Sequence, residues 1–208
     1  MLLATRNASK LGELRRILVP SSFSPNVLAG GVQVPNIQIV GLDVVPPFPD
    51  IPETAATFEG NALAKARGAA VATGLPTVAD DSGLEVDALN GMPGVLSARW
   101  AGRHRNDTAN LQLVLDQLVD VPEDRRGAAF VCAAALVVRP GVETVVRGQW
   151  HGTLTWAARG SNGFGYDPIF VPDGERRTSA ELDPAEKDAA SHRGQALRAL
   201  LPALHQFL

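Results

Sequence analysis

The feature that most constrains this chain is an uncharged apolar run at residues 128–138, eleven residues long. A membrane-spanning helix needs about 20 such residues. A shorter run bounded by turn signals instead predicts a core strand, buried on both faces. The single cysteine, Cys132, lies inside the run, so no intrachain disulfide can form, and no Cys/His metal spacing exists. Cys132 is expected to be a small buried core thiol. The N-terminus, Met1-Leu2-Leu3-Ala4-Thr5-Arg6, reaches a charge too early for a secretory h-region. The expectation is a soluble, cytoplasmic protein with no membrane partner.

At 208 residues the chain suits one medium domain or two fused lobes, and 45% hydrophobic with 20% charged residues predicts a globular fold. A formal net charge of −3 argues against a duplex DNA binder with a broad basic face, so no nucleic-acid partner is expected. Of the 19 basic residues sixteen are Arg and three are Lys: Lys10, Lys65 and Lys187. GC-rich coding explains the scarcity. It leaves open what each lysine does.

The periodicity predicts a short strand at residues 1–5, a helix over 10–18 and a strand near 38–42. Residues 19–52 are Pro-rich, with Pro20, Pro25, Pro35, Pro46, Pro47, Pro49 and Pro52. A long Ala-rich helix is predicted over 57–73, with Thr57 as N-cap and Gly74 as stop. A strand at 76–79 is expected to end in Asp80-Asp81-Ser82-Gly83, and the alternating stretch 84–89 to pair in a hairpin. Asn90 to Gly94 reads as a Gly/Pro turn. A helix capped by Asn106 or Asp107 should reach Leu118. Strands are predicted at 127–139 and 144–150, joined by Pro140-Gly141, and a glycine-punctuated loop at 160–165. Asp183-Pro184-Ala185-Glu186 starts a helix, and Ser191 caps another running to the C-terminus. Early alternation of strands and helices with a β-rich middle predicts an α/β class with a mixed β-sheet and flanking helices.

Four segments carry candidate chemistry. Thr5-Arg6-Asn7-Ala8-Ser9-Lys10 runs from a strand into a helix N-terminus, a place that favours phosphate; the alternative is an ordinary helix start. In Asp80-Asp81-Ser82-Gly83 adjacent side chains point to opposite faces, so one Asp can hold Mg²⁺ or activate water while the other is structural. The alternative is a capped turn. In Ser161-Asn162-Gly163-Phe164-Gly165-Tyr166-Asp167-Pro168, Phe164 can present its face to a base and Asp167 can accept base N–H bonds; the alternative is a Gly-rich hairpin with a buried Phe. Ser191-His192-Arg193 offers donors to carbonyl or phosphate oxygens, or is a solvated surface pair. His104, His151 and His205 show no ligand spacing and are expected to be structural or exposed.

Taken in order, Thr5-x-Asn7-x-x-Lys10, Thr57-Phe58-x-x-Asn61-Ala62-x-x-Lys65-Ala66, Ala79-Asp80-Asp81-Ser82-Gly83-Leu84, Pro93-Gly94-x-x-Ser97-Ala98-Arg99, Gly163-Phe164-Gly165-Tyr166-Asp167-Pro168 and Ser191-His192-Arg193-Gly194 closely resemble the Ham1-like inosine triphosphate pyrophosphatases over essentially the whole chain. The resemblance implies a single domain of two lobes around a central cleft, spanning 1–208. It also implies a homodimer and a Mg²⁺-dependent hydrolysis of purine nucleoside triphosphates (ITP, dITP, XTP) to monophosphate and pyrophosphate. By the same resemblance Thr5, Arg6, Asn7, Ala8, Ser9 and Lys10 cradle the phosphates, and Lys65 reaches the triphosphate. Asp81 is proton acceptor and metal ligand, Glu53 the second metal ligand, and Ser82 a substrate contact. Phe164 stacks on the purine with Gly165, Tyr166 and Asp167 beside it, and Lys187, His192 and Arg193 complete the nucleoside end. Glu59 competes with Glu53, although at a helix start it also suits the dipole. Two other readings are a Maf-like hydrolase for other modified nucleotides and a catalytically silent nucleotide-binding module.

Overall fold

The computed structural model describes residues 1–18, 38–102 and 106–207. Pro20, Pro25, Pro35 and His104 lie outside the described residues. A five-stranded sheet runs in the order β1-β2-β3-β4-β5, with β1 Leu2–Leu3, β2 Thr77–Val86, β3 Gly127–Arg139, β4 Val142–Leu154 and β5 Phe170–Pro172. β1 pairs parallel to β2, Leu2 opposite Thr77, whereas β4 pairs antiparallel to β5, Leu154 opposite Phe170. The sheet is therefore mixed, and the α/β class stands. The helices are α1 Ala8–Leu18, α2 Phe58–Thr73, α3 Asp107–Gln117, α4 Pro184–Ala190 and α5 His192–Phe207. None of the helices among the described residues is long and apolar enough to cross a membrane.

The apolar run is the strand its composition demands: residues 128–137 of β3 are all buried, Cys132 among them. α2 also starts and stops where its capping residues require. Thr57 accepts the Gly60 amide at 3.1 Å, and Gly74, with φ of 68°, closes the C-terminus by donating to the Ala70 carbonyl.

Three expectations change. Asp80-Asp81-Ser82-Gly83 is not the end of a strand; β2 runs through it for ten residues. The Gly that read as a turn former, Gly83, serves a close approach instead. A Cβ on Gly83 would strike Ser97 Oγ and the Gly94 carbonyl, and Ser97 Oγ accepts the Leu84 amide at 2.9 Å. The return after β2 is then limited to a single bridge, Glu85 to Pro93. Near 38–42 the strand is likewise one bridge, Val40 to Leu2, before the chain turns into a 3₁₀ helix at Leu42–Val44.

The chain divides into two compact units. The first is Met1–Asp81, Ala133–Gly148 and Arg193–Leu208; the second is Ser82–Cys132 and Gln149–His192. In the first, α5 buries Leu197, Leu200, Leu201 and Leu204, a helical stripe, and α2 buries Ala62, Ala66 and Ala69. The core of the second joins Leu84, Leu111, Val114, Phe130, Trp150, Tyr166, Ile169 and Phe170. There Phe170 tilts against Phe130 at 4.5 Å and Trp150 at 5.6 Å.

Candidate active site

In the first unit the chemistry begins at a helix start. Asn7 accepts the Lys10 amide at 3.1 Å, which caps α1 and sets Lys10 in its first turn. Lys10 Nζ then meets Asp80 Oδ2 at 2.9 Å. Arg193, at the start of α5, lies with its Nε 3.5 Å from the same oxygen and forms an ion pair with Glu13 of α1. Asp80, Glu13 and Arg193 are all buried. His192 and Arg193 are thus not a solvated surface pair.

Asp81 points to the other face of β2 and meets a different set of partners. Its Oδ1 lies 2.9 Å from Lys65 Nζ, and its Oδ2 accepts Asn61 Nδ2 at 3.1 Å. Lys65 Nζ also donates to Glu53 at 2.9 Å, so one ammonium bridges the two carboxylates. Asn61 and Lys65 are one helical turn apart on α2 and share a face. Asn61 also accepts the Ala55 amide at 2.9 Å, tying the segment that carries Glu53 to Asp81. Glu59, the competing acid, pairs with Arg147 at 3.0 Å instead.

The two adjacent carboxylates titrate in opposite directions. Burial pushes Asp80 up, but the charges of Lys10, Arg193 and Lys65 outweigh it and hold the carboxyl well below the ordinary range. Burial also raises Asp81, and there it prevails over Lys65 and Lys10. Asp80 is a fixed anion. Of the two, Asp81 is the one whose carboxyl is raised, the direction that suits a base. Burial alone would lower the Lys65 ammonium, yet Asp81, Asp80 and Glu53 keep it protonated.

Among the described residues no three His, Cys, Asp or Glu side chains form a metal-holding group. Glu53 and Asp81 offer two hard oxygen donors on either side of Lys65. That set suits an ion such as Mg²⁺, which takes one or two carboxylates and fills its shell from phosphates and water.

In the second unit the Phe164 loop is tied at successive residues. Phe164 is half-buried, with Lys187 Nζ 5.2 Å from its ring centroid. Asp167 does not present free oxygens: Oδ2 accepts the Phe164 amide at 2.8 Å and Lys187 Nζ at 2.6 Å, while Oδ1 accepts Ser179 Oγ at 2.8 Å. Gly163, with φ of 75°, presses on this carboxylate, which a Cβ would strike. His192 is buried and stacks on Phe130, centroids 4.9 Å apart.

The remaining expected residues have these surroundings. Arg6 pairs with Asp50 and donates to the Phe48 carbonyl at 3.0 Å. Ala8 and Ser9 are exposed on the first turn of α1, Thr5 accepts the Asn7 amide at 3.2 Å, and Ser82 is half-buried in β2. His151 and His205 are exposed. Glu13 and Ser179 had no expected role. The signal for Glu13 was its spacing of three from Lys10, one helical face; nothing local marks Ser179.

A model of the Ham1 family matches residues 1–203. The chain is 64% identical over 204 residues to the dITP/XTP pyrophosphatase of Nocardia farcinica, covering 98% of this chain and 94% of that protein. It is 59% identical over 204 residues to the protein of that name in Mycobacterium tuberculosis, with coverage of 98% and 94%. Among solved structures it resembles a nucleoside-triphosphatase / dITP/XTP pyrophosphatase from Mycobacterium abscessus at 57% identity and TM-score 0.73, covering 97% of this chain and 98% of that one. It also resembles a Ham1 protein from Coxiella burnetii at 41% identity and TM-score 0.80, covering 99% and 98%.

Proposed function

The chain belongs to the Ham1 family, and from that premise we propose that it hydrolyses the non-canonical purine nucleoside triphosphates ITP, dITP and XTP to the monophosphate and pyrophosphate. The observation that carries the catalytic assignment is the pair of adjacent aspartates with divided tasks: Asp80 locked by Lys10 and Arg193, Asp81 shared between Lys65 and Asn61. Asp81 orients water and takes its proton as the oxygen attacks the α-phosphorus. Negative charge then grows on the departing pyrophosphate, and Lys10 and Lys65 stabilise it more in the transition state than in the ground state.

Glu53 and Asp81 would hold Mg²⁺, which would supply Lewis-acid neutralisation of phosphate oxygens. The donor chemistry of those two carboxylates supports this assignment. Residues 5–10 line the phosphate end. In the second unit Phe164 is the stacking face for the purine, supported by Gly165, Tyr166 and Asp167. Lys187, His192 and Arg193 are assigned to the nucleoside end, and Ser82 to substrate contact. Donors facing the 6-oxo group would meet the 6-amino group of adenine donor to donor, which leaves buried groups unpaired and disfavours it. The family resemblance also supports a homodimer acting in the cytoplasm.

Hydrolysis of ITP in ¹⁸O-labelled water tests the reaction. Label in the monophosphate is expected; label only in pyrophosphate would place the attack at the other phosphorus. Asp81→Asn is expected to lower kcat by roughly a hundredfold or more while nucleotide affinity, read by calorimetry, changes little. Near-normal turnover in that variant would remove Asp81 from the base role.

A further inference from the structure

We propose that Asp107 is a positioning residue for purine recognition, holding the Phe164 loop through the Gly165 amide; the inference rests on the functional reading above.

Asp107 opens α3, a place where an acid usually serves the helix itself. Here that demand is met by its neighbour. Asn106 Oδ1 accepts the Ala109 amide at 3.0 Å, and the Asn106 carbonyl accepts the Asn110 amide at 2.9 Å. Asp107 Oδ2 instead accepts the Gly165 amide at 3.0 Å, across 58 positions of sequence.

That amide lies in a left-handed turn, Gly165 having φ of 63°, directly after the ring assigned to stacking. An exposed amide has water available, so the bond is not needed to satisfy a buried donor. What it does is fix where the turn sits.

The neighbouring residues are tied to other places. Phe164 donates its amide to Asp167 at 2.8 Å, and the Tyr166 hydroxyl donates to the Ser97 carbonyl at 2.8 Å. Burial of Tyr166, and then the nearby Asp107 charge, both raise its phenol. Asp167 and Tyr166 are buried, so removing either opens the core. Asp107 is exposed, and its tie can be cut in a protein that still folds.

Asp107→Ala is expected to raise KM for ITP roughly fivefold with kcat within about twofold, the cost of one hydrogen bond. Asp107→Asn, which keeps an acceptor oxygen, should restore KM. In a Phe164→Ala background the Asp107→Ala step should have no further effect, because Asp107 acts through the ring. Hydrogen exchange over residues 161–169 should accelerate in Asp107→Ala whether or not substrate is turned over. An unchanged KM, an undiminished effect in the Phe164→Ala background, or unchanged exchange would each overturn the proposal. Absence of ITP and XTP hydrolysis in the unmodified enzyme would overturn the functional reading instead, with the exchange measurement still deciding whether Asp107 holds the loop.

Discussion

Asp80 and Asp81 are neighbours in sequence, both buried and both paired with a lysine, yet they face different partners. Strand geometry sends them to opposite faces, and the charges waiting there decide the rest. Asp80→Asn removes the anion from between Lys10 and Arg193 and should cost about 3–5 kcal/mol by urea unfolding. A carboxyl whose pKa is lower in the folded state contributes stability that is fully present above its unfolded value. That contribution is lost as pH falls through the folded value. The loss of stability on acidification below about pH 4 should therefore be shallower in Asp80→Asn than in the parent protein. Lys65 sits 2.9 Å from both Glu53 and Asp81, a place for a compact ammonium rather than a wide planar fork. Lys65→Arg should lower kcat by roughly tenfold or more despite the retained charge. Rates equal to the parent's would show that charge alone matters there. Side-chain alternation along a strand is enough to separate the two aspartates, and that much was legible from residue order alone. Which of them is the base was named only through the family resemblance, as Asp81; residue order alone left it open, because the charges around the two come from Lys10, Lys65 and Arg193, distant in sequence.

At the scale of elements, legibility followed how local the cause was. α2 was readable to its ends because Thr57 and Gly74 act within a few residues of the helix they bound. β3 was readable because its apolar run needs no partner to announce itself. β2 was misread at Asp80-Asp81-Ser82-Gly83, since those residues favour a turn in isolation. They lie instead in a strand hydrogen-bonded between β1 and β3, and just beyond them Ser97, thirteen residues after Leu84, receives the Leu84 amide against a bare Gly83. Arg126 escaped notice for the same reason. Its buried guanidinium donates to the carbonyls of Leu118, Leu154 and Thr155 at 2.7–2.9 Å and to that of Val121 at 3.3 Å. It thereby ties the end of α3 to the end of β4. Arg126→Met keeps the stem and leaves those acceptors unmet, so denaturant unfolding should show a loss of about 2–4 kcal/mol. A change under about 0.5 kcal/mol would mean that water replaces the guanidinium without cost.

Across the whole molecule the three lysines share one feature. Lys10 meets Asp80, Lys65 meets Glu53 and Asp81, and Lys187 meets Asp167, each pair at 2.6–2.9 Å. Among the described residues the arginine pairs at Arg6, Arg67, Arg147, Arg159 and Arg177 are on exposed surface, whereas that of Arg193 is buried. A compact ammonium suits each of the three lysine places better than a wide planar fork. The Mg²⁺ proposed at Glu53 and Asp81 would have only two protein donors there, so it should be weakly held without nucleotide. Chelation should abolish turnover and added Mg²⁺ should restore it, with little change in melting temperature.

Selectivity for deaminated purines is tested most directly by steady-state pyrophosphate release from ITP, dITP, XTP, ATP and GTP, with and without Mg²⁺. The expected result is a kcat/KM for the deaminated purines at least about a hundredfold above that for ATP, whose 6-amino group opposes the donors, and also above that for GTP, and only with the metal present. Equal rates on all five nucleotides, or no pyrophosphate from any of them, would contradict it.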